Sequence, residues 1–130
     1  MKNIAVFSII VVALASTAEQ SQAIPAFAKA FTERYVNTSK NAEFVTAVKQ
    51  AKCNLCHFGT SKRNKNDFGK TFAKHLKRTD YNSTRFREEA ATVKKEFDVG
   101  LKKILAEKNP AGKTYQSRIE NGELPGTVEQ

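Results

Sequence analysis

The sequence has no tryptophan, two cysteines, two histidines and a single methionine, Met1. Two cysteines are too few for the multi-bridge framework of a small disulfide-rich protein. A lone methionine at position 1 leaves no thioether ligand anywhere else in the chain. Apolar residues are thin as well. Of 52 hydrophobic residues, 14 lie within residues 1–23, which leaves 38 among the other 107. A length of 130 residues leaves no room for two full-sized domains or a multidomain enzyme. A core this lean gains from a staple such as a disulfide, a metal or a bulky cofactor. Alternating β-branched runs are also missing, so nothing in the pattern calls for a sheet.

What is present begins with an address. Lys2 is followed by an apolar run over residues 4–15 broken only by Ser8, and no acidic residue occurs before Glu19. This pattern reads as a signal peptide, residues 1–23, with Ser21 and Ala23 as the small residues ahead of a cut before Ile24. The run is shorter than the roughly 20 apolar residues that span a bilayer, and no second one follows, so an exported, periplasmic domain without stable membrane insertion is expected. Removing the leader takes away Lys2 and Glu19 together, and the domain at 24–130 keeps the full chain's charge of +9.

Within that domain the periodicity is helical throughout, and the expected fold is all-α, a small single domain. Pro25 opens a short helix with Phe27, Ala30, Phe31 and Tyr35 on one side. A second helix bears Phe44, Val45, Ala47, Val48 and Ala51 and runs into Cys53. Beyond a polar loop, Phe68, Phe72, His75 and Leu76 share one face. One long helix, capped at Asn82, Ser83 or Thr84, carries Phe86, Ala90, Val93, Phe97, Leu101, Ile104 and Leu105, with Gly100 a place to bend. Thr114 caps a last short helix closed by Asn121-Gly122, and residues 126–130 are expected to be a disordered tail.

Chemistry concentrates at Cys53-Asn54-Leu55-Cys56-His57. Two cysteines three apart on a helical turn project to one side, where both sulfurs reach the vinyl groups of one haem, and the adjacent histidine meets the iron as proximal ligand. Cys-x-x-Cys-His is the c-type haem attachment sequence, and export supplies the compartment in which attachment takes place. Three other readings compete with it. A thioredoxin-type dithiol lacks its βαβ context here. A zinc site would need Cys53, Cys56, His57 and His75 on one ion, with cysteine and histidine adjacent in sequence. A Cys53–Cys56 disulfide would close a tiny loop and stabilise little.

With its helix leading into Cys-x-x-Cys-His and a later long helix, the sequence resembles the small monohaem cytochromes c of bacteria, of the class I architecture. It departs from that class in lacking the downstream methionine ligand and the Pro-Leu pair that commonly follows the attachment site. Lys65-Asn66-Asp67-Phe68-Gly69 and the terminal Thr114-Tyr115, Ile119 and Gly122-Glu123-Leu124-Pro125 look like a family of small exported cytochromes. The resemblance implies one covalent haem c, a cytochrome c-like helical fold around it, and electron transfer rather than enzyme catalysis.

With methionine absent, His75 is the leading distal iron ligand; a lysine, the new α-amino group or an empty site are the alternatives. The loop and helical steps between His57 and His75 reach about 27 Å and about 14 Å, enough to round a haem edge. A closed six-coordinate iron makes a one-electron carrier; an open one makes a gas- or peroxide-binding sensor or weak peroxidase; a chain without haem remains a dithiol redox protein. Lys62, Arg63 and Lys65 crowd the loop after the motif, which points to a redox partner with an acidic docking surface. Lys94, Lys95, Lys102 and Lys103 read as the solvated face of the long helix. Export removes nucleic acid as a partner.

Overall fold

The computed structural model describes residues 23–127. The expected leader therefore lies outside the described residues, except for Ala23 at its end. Six α-helices make up most of what is described: α1 (Ala23–Phe31), α2 (Ala42–Ala51), α3 (Asp67–His75), α4 (Ser83–Glu88), α5 (Ala90–Ala106) and α6 (Tyr115–Glu120). Among the described residues, strand-type backbone pairing is limited to two isolated bridges, His57 with Lys65 and Lys108 with Thr114, so the all-α expectation holds for them. No helix among them is long and apolar enough to cross a membrane.

Helix α5 is the axis of the molecule, packing against α1, α3, α4 and α6. Its buried residues Val93, Phe97, Leu101, Ile104 and Leu105 recur at helical spacing and line one face. The helix continues through Gly100, as expected. A Cβ there would stand 2.6 Å from Leu76 Cδ2, so the missing side chain is what lets the end of α3 lie against α5. Around this axis runs an aromatic cluster. Phe27 of α1 meets Phe72, Tyr81 and Phe97 at 5.6, 5.5 and 5.1 Å between ring centroids, and Phe68 meets Phe31 and Tyr115 at 5.6 and 5.1 Å. Phe31, Phe44, Phe68 and Tyr115 are fully buried. Tilted and edge-on rings at these distances add specific attraction to the area they remove from water.

The long helix expected from Asn82 onward is two. Glu89, at φ −119° and ψ 33°, interrupts it between α4 and α5. The reason is geometric. Phe86 and Phe97 lie eleven positions apart and would be about 16 Å apart along one straight helix, whereas their ring centroids are 6.0 Å apart. Folding α4 back onto α5 buries Phe86 against Tyr81 and Phe97 and brings Arg85 within hydrogen-bonding distance of Glu96, at 2.6 Å. Helix α1 likewise passes into a π-helical turn, Thr32–Val36, from which Arg34 reaches the Asp98 carboxylate on α5. Of the tail expected to be disordered, residues 126 and 127 lie among those described: Gly126 is buried and the Thr127 N–H donates to Asp67 Oδ1 at 2.6 Å.

Candidate functional site

Helix α2 delivers the chain to the Cys-x-x-Cys-His motif. Asn41 caps its start, accepting hydrogen bonds from the N–H groups of Glu43 and Phe44. Phe44 and Val48 bury its inner face. The motif does not continue this helix directly. Lys52 takes φ 49° and ψ −116°, ending α2, and a 3-10 turn, Lys52–Leu55, follows. Within that turn the N–H groups of Cys56 and His57 both donate to the Cys53 carbonyl, at 3.3 and 3.1 Å. Leu55 points into the core at 7% exposure and anchors the turn. The cysteines are free thiols, Cys53 exposed and Cys56 half-buried. Burial, and secondarily the neighbouring Cys53, push the Cys56 thiol up to about 12.

His57 is held from behind. Its Nδ1 lies 3.0 Å from the Asn64 carbonyl oxygen, which can only accept, so Nδ1 carries the proton and donates. In the neutral ring this leaves the lone pair on the other nitrogen, Nε2. A histidine that ligates a metal is characteristically oriented by such a bond to a backbone carbonyl. The loop that brings Asn64 into place is closed by a turn from the Asn64 N–H to the Ser61 carbonyl and by the Phe58 N–H donating back to Asn64. Two thiols and an imidazole with an oriented free nitrogen therefore belong to one short turn. This donor set suits a covalently held haem: Cys53 and Cys56 would hold the porphyrin and His57 Nε2 the iron.

Helix α3 approaches this turn closely. A Cβ at Gly69 would stand 2.1 Å from the Cys56 carbonyl oxygen, so only glycine permits the packing. The same carbonyl accepts from the Asn66 N–H at 3.1 Å.

His75 lies at the other end of α3, and its contacts are not with the turn at 53–57. Its Nε2 is 2.5 Å from Glu107 Oε1, and Lys74 Nζ reaches the same oxygen at 2.7 Å. These two bonds, first from Lys74 and then from His75, hold the Glu107 carboxyl below its ordinary range. His75 also lines a shallow cavity of about 330 Å³ with Tyr81, Lys95, Glu96, Val99 and Gly100. Neither cysteine nor His57 borders that cavity. Among the described residues, no three of His, Cys, Asp and Glu gather as a metal-binding group, so Cys53, Cys56, His57 and His75 do not form the four-ligand set a zinc ion needs.

Sequence reasoning missed Asn64 and Glu107, and named Asn66 only within a run of residues without giving it a role. Asn66 left a signal, since asparagine directly before an apolar helical period marks an N-cap. Asn64 contributes a carbonyl oxygen, which every residue has, and Glu107 meets His75 across 32 positions. Neither is visible in local pattern. Set against protein-family models, curated proteins and solved structures, the chain matches none.

Proposed function

We propose that the chain is an exported monohaem c-type cytochrome that carries single electrons, with haem c held through Cys53 and Cys56 and His57 as the proximal ligand. The observation that carries this is the hydrogen bond from His57 Nδ1 to the Asn64 carbonyl, made in the same turn as two free thiols. When bound, the haem supplies the one-electron couple of its iron. The chain's own part is to fix the imidazole tautomer, to shield one side of the attachment turn with α3, and to leave the Cys53 side exposed for a partner's approach. Intact-mass measurement of protein matured in a periplasm competent for haem attachment tests the reading. A mass increased by one haem is expected; the bare polypeptide mass would overturn it.

A second reading, a gas- or peroxide-binding haem protein with an open distal position, is favoured by one observation: Glu107 already occupies His75 Nε2. Carbon monoxide separates the two. A carrier with His75 on the iron gives a reduced spectrum that carbon monoxide barely perturbs. A large, rapid change that is the same in His75→Ala assigns the open site.

A further inference from the structure

Asn66 is 1% exposed, and each of its polar groups is engaged on the elements around the attachment turn. Its N–H donates to the Cys56 carbonyl. Its Nδ2 donates to the Leu55 carbonyl at 3.1 Å and towards the Asn54 carbonyl at 3.4 Å, the two in the middle of the motif. Its Oδ1 accepts the Gly69 N–H at 2.8 Å and caps α3. The end of the described chain closes over this side chain. Pro125 is fully buried. Gly126 passes so near that a Cβ on it would stand 2.6 Å from Asn66 Nδ2, and the Thr127 N–H is bonded to the neighbouring Asp67.

We infer that Asn66 is a positioning residue: pinned by the strap at residues 125–127, it latches the turn at 53–57 and the loop carrying Asn64, and so sets how firmly His57 holds iron. This rests on the haem-protein reading above. The loop between His57 and Asn66 is fastened at one end by the His57 bond to Asn64 and at the other by Asn66 itself. Releasing Nδ2 from the Leu55 and Asn54 carbonyls frees the turn and slackens the loop at once. The Asn64 carbonyl is then held towards Nδ1 by the backbone bonds of the loop alone, from Phe58 to Asn64 and from Asn66 to Cys56. Residues at the far end of the chain thereby act on the ligand without touching it, as partners behind a metal ligand do.

Two variants loosen the latch differently. Asn66→Ser keeps an oxygen to cap Gly69 but is too short to reach the Leu55 carbonyl. Gly126→Ala leaves Asn66 in place and pushes its amide aside. Asn82→Ala, which removes the cap of the distant α4, serves as a control for lowered stability alone. Nitric oxide added to the reduced holoproteins weakens the bond trans to itself, and the three-line electron paramagnetic resonance pattern reports the fraction that has released His57. Both latch variants are expected to raise the ratio of released to retained His57 about tenfold, with Asn82→Ala unchanged. Either latch variant behaving like the control overturns the inference. Hydrogen exchange at the amides of residues 55–57 gives a readout that needs no iron: faster exchange confined to that turn supports the latch, and uniform change across the chain rejects it. Wild-type protein that never acquires haem would instead sink the proposed function, leaving exchange to decide the latch.

Discussion

Lys52 is the sole non-glycine residue among those described that has positive φ, and it immediately precedes Cys53. Its conformation is one that glycine adopts freely and a Cβ resists. Strain of this kind costs on the order of 1–3 kcal/mol and persists only where the surroundings enforce it. Here α2 must end with the Lys52 N–H still bonded to Val48, while Leu55, three residues on, is buried in the core. Replacing Lys52 with glycine relieves the strain, and the greater freedom of glycine in the unfolded chain gives back roughly 0.5–1 kcal/mol. Lys52→Gly is therefore expected to gain about 1 kcal/mol, seen in thermal unfolding as a Tm about 5 °C higher. A lowered Tm would reject this account. Nothing at position 52 announced the kink. Lysine is a good helix former, and an unbroken run from α2 into the cysteines was the natural expectation; what bends the chain is the need to seat Leu55, a tertiary demand that local propensity does not express.

At the scale of elements, the tie between the π-helical turn and α5 carries a pH dependence. The hydrogen bond from Arg34, opposed by partial burial and helped by the charges of Arg34 and Lys94, holds the Asp98 carboxyl below its ordinary range. The folded state then binds fewer protons than the unfolded state around the carboxylate titration. The tie contributes stability above an unfolded carboxylate pKa of about 4, and loses it as the pH falls through the lower folded value. With Asp98 still 37% exposed, its contribution is held to about 1 kcal/mol. Urea unfolding of Arg34→Ala should show that deficit at pH 7 and a shrinking one towards pH 3; a deficit independent of pH would mean that Arg34 acts through packing of its stem. Helix faces were legible because burial follows the 3.6-residue period: Phe68, Phe72 and Leu76 on α3, Val93 to Leu105 on α5, and the Thr114 cap of α6 all stand where the pattern puts them. The break at Glu89 was not legible, because Phe86 continues the period of α5 whether the helix is straight or folded back. The packing of Gly126 and Thr127 was equally hidden, since the residues that receive them, Asn66 and Asp67, lie some sixty positions earlier. Likewise the motif announced Cys53, Cys56 and His57 by spacing alone, while the carbonyl that orients His57 left no mark.

Across the whole molecule, the +9 charge is unevenly committed. On α5 and α3, Lys94 pairs with Asp98 and Lys74 with Glu107. Lys62, Arg63 and Lys65 stand exposed on the loop after the motif, on the same short stretch of chain as the exposed Cys53. Under the proposed carrier function, with electrons entering and leaving where the turn at 53–57 meets solvent, the field that would matter to a redox partner is that of this loop and not the net charge. Small redox ions of opposite sign separate the two. Changing Lys62, Arg63 and Lys65 to glutamine together should slow oxidation of the reduced holoprotein by ferricyanide several-fold at low ionic strength and speed its reaction with a cationic oxidant. Changing Lys95, Lys102 and Lys103 on α5 alters net charge equally and should leave both rates nearly as they were. Salt sharpens the distinction, because at about 0.1 M the Debye length is about 10 Å and charges farther than that from the electron's path are screened away. The wild-type rate with ferricyanide should therefore fall as salt is raised, with the fall largely abolished in the loop variant and retained in the α5 variant. Equal responses from the two triple variants would mean that the protein is read by its total charge, and that electrons do not pass through the face beside Cys53.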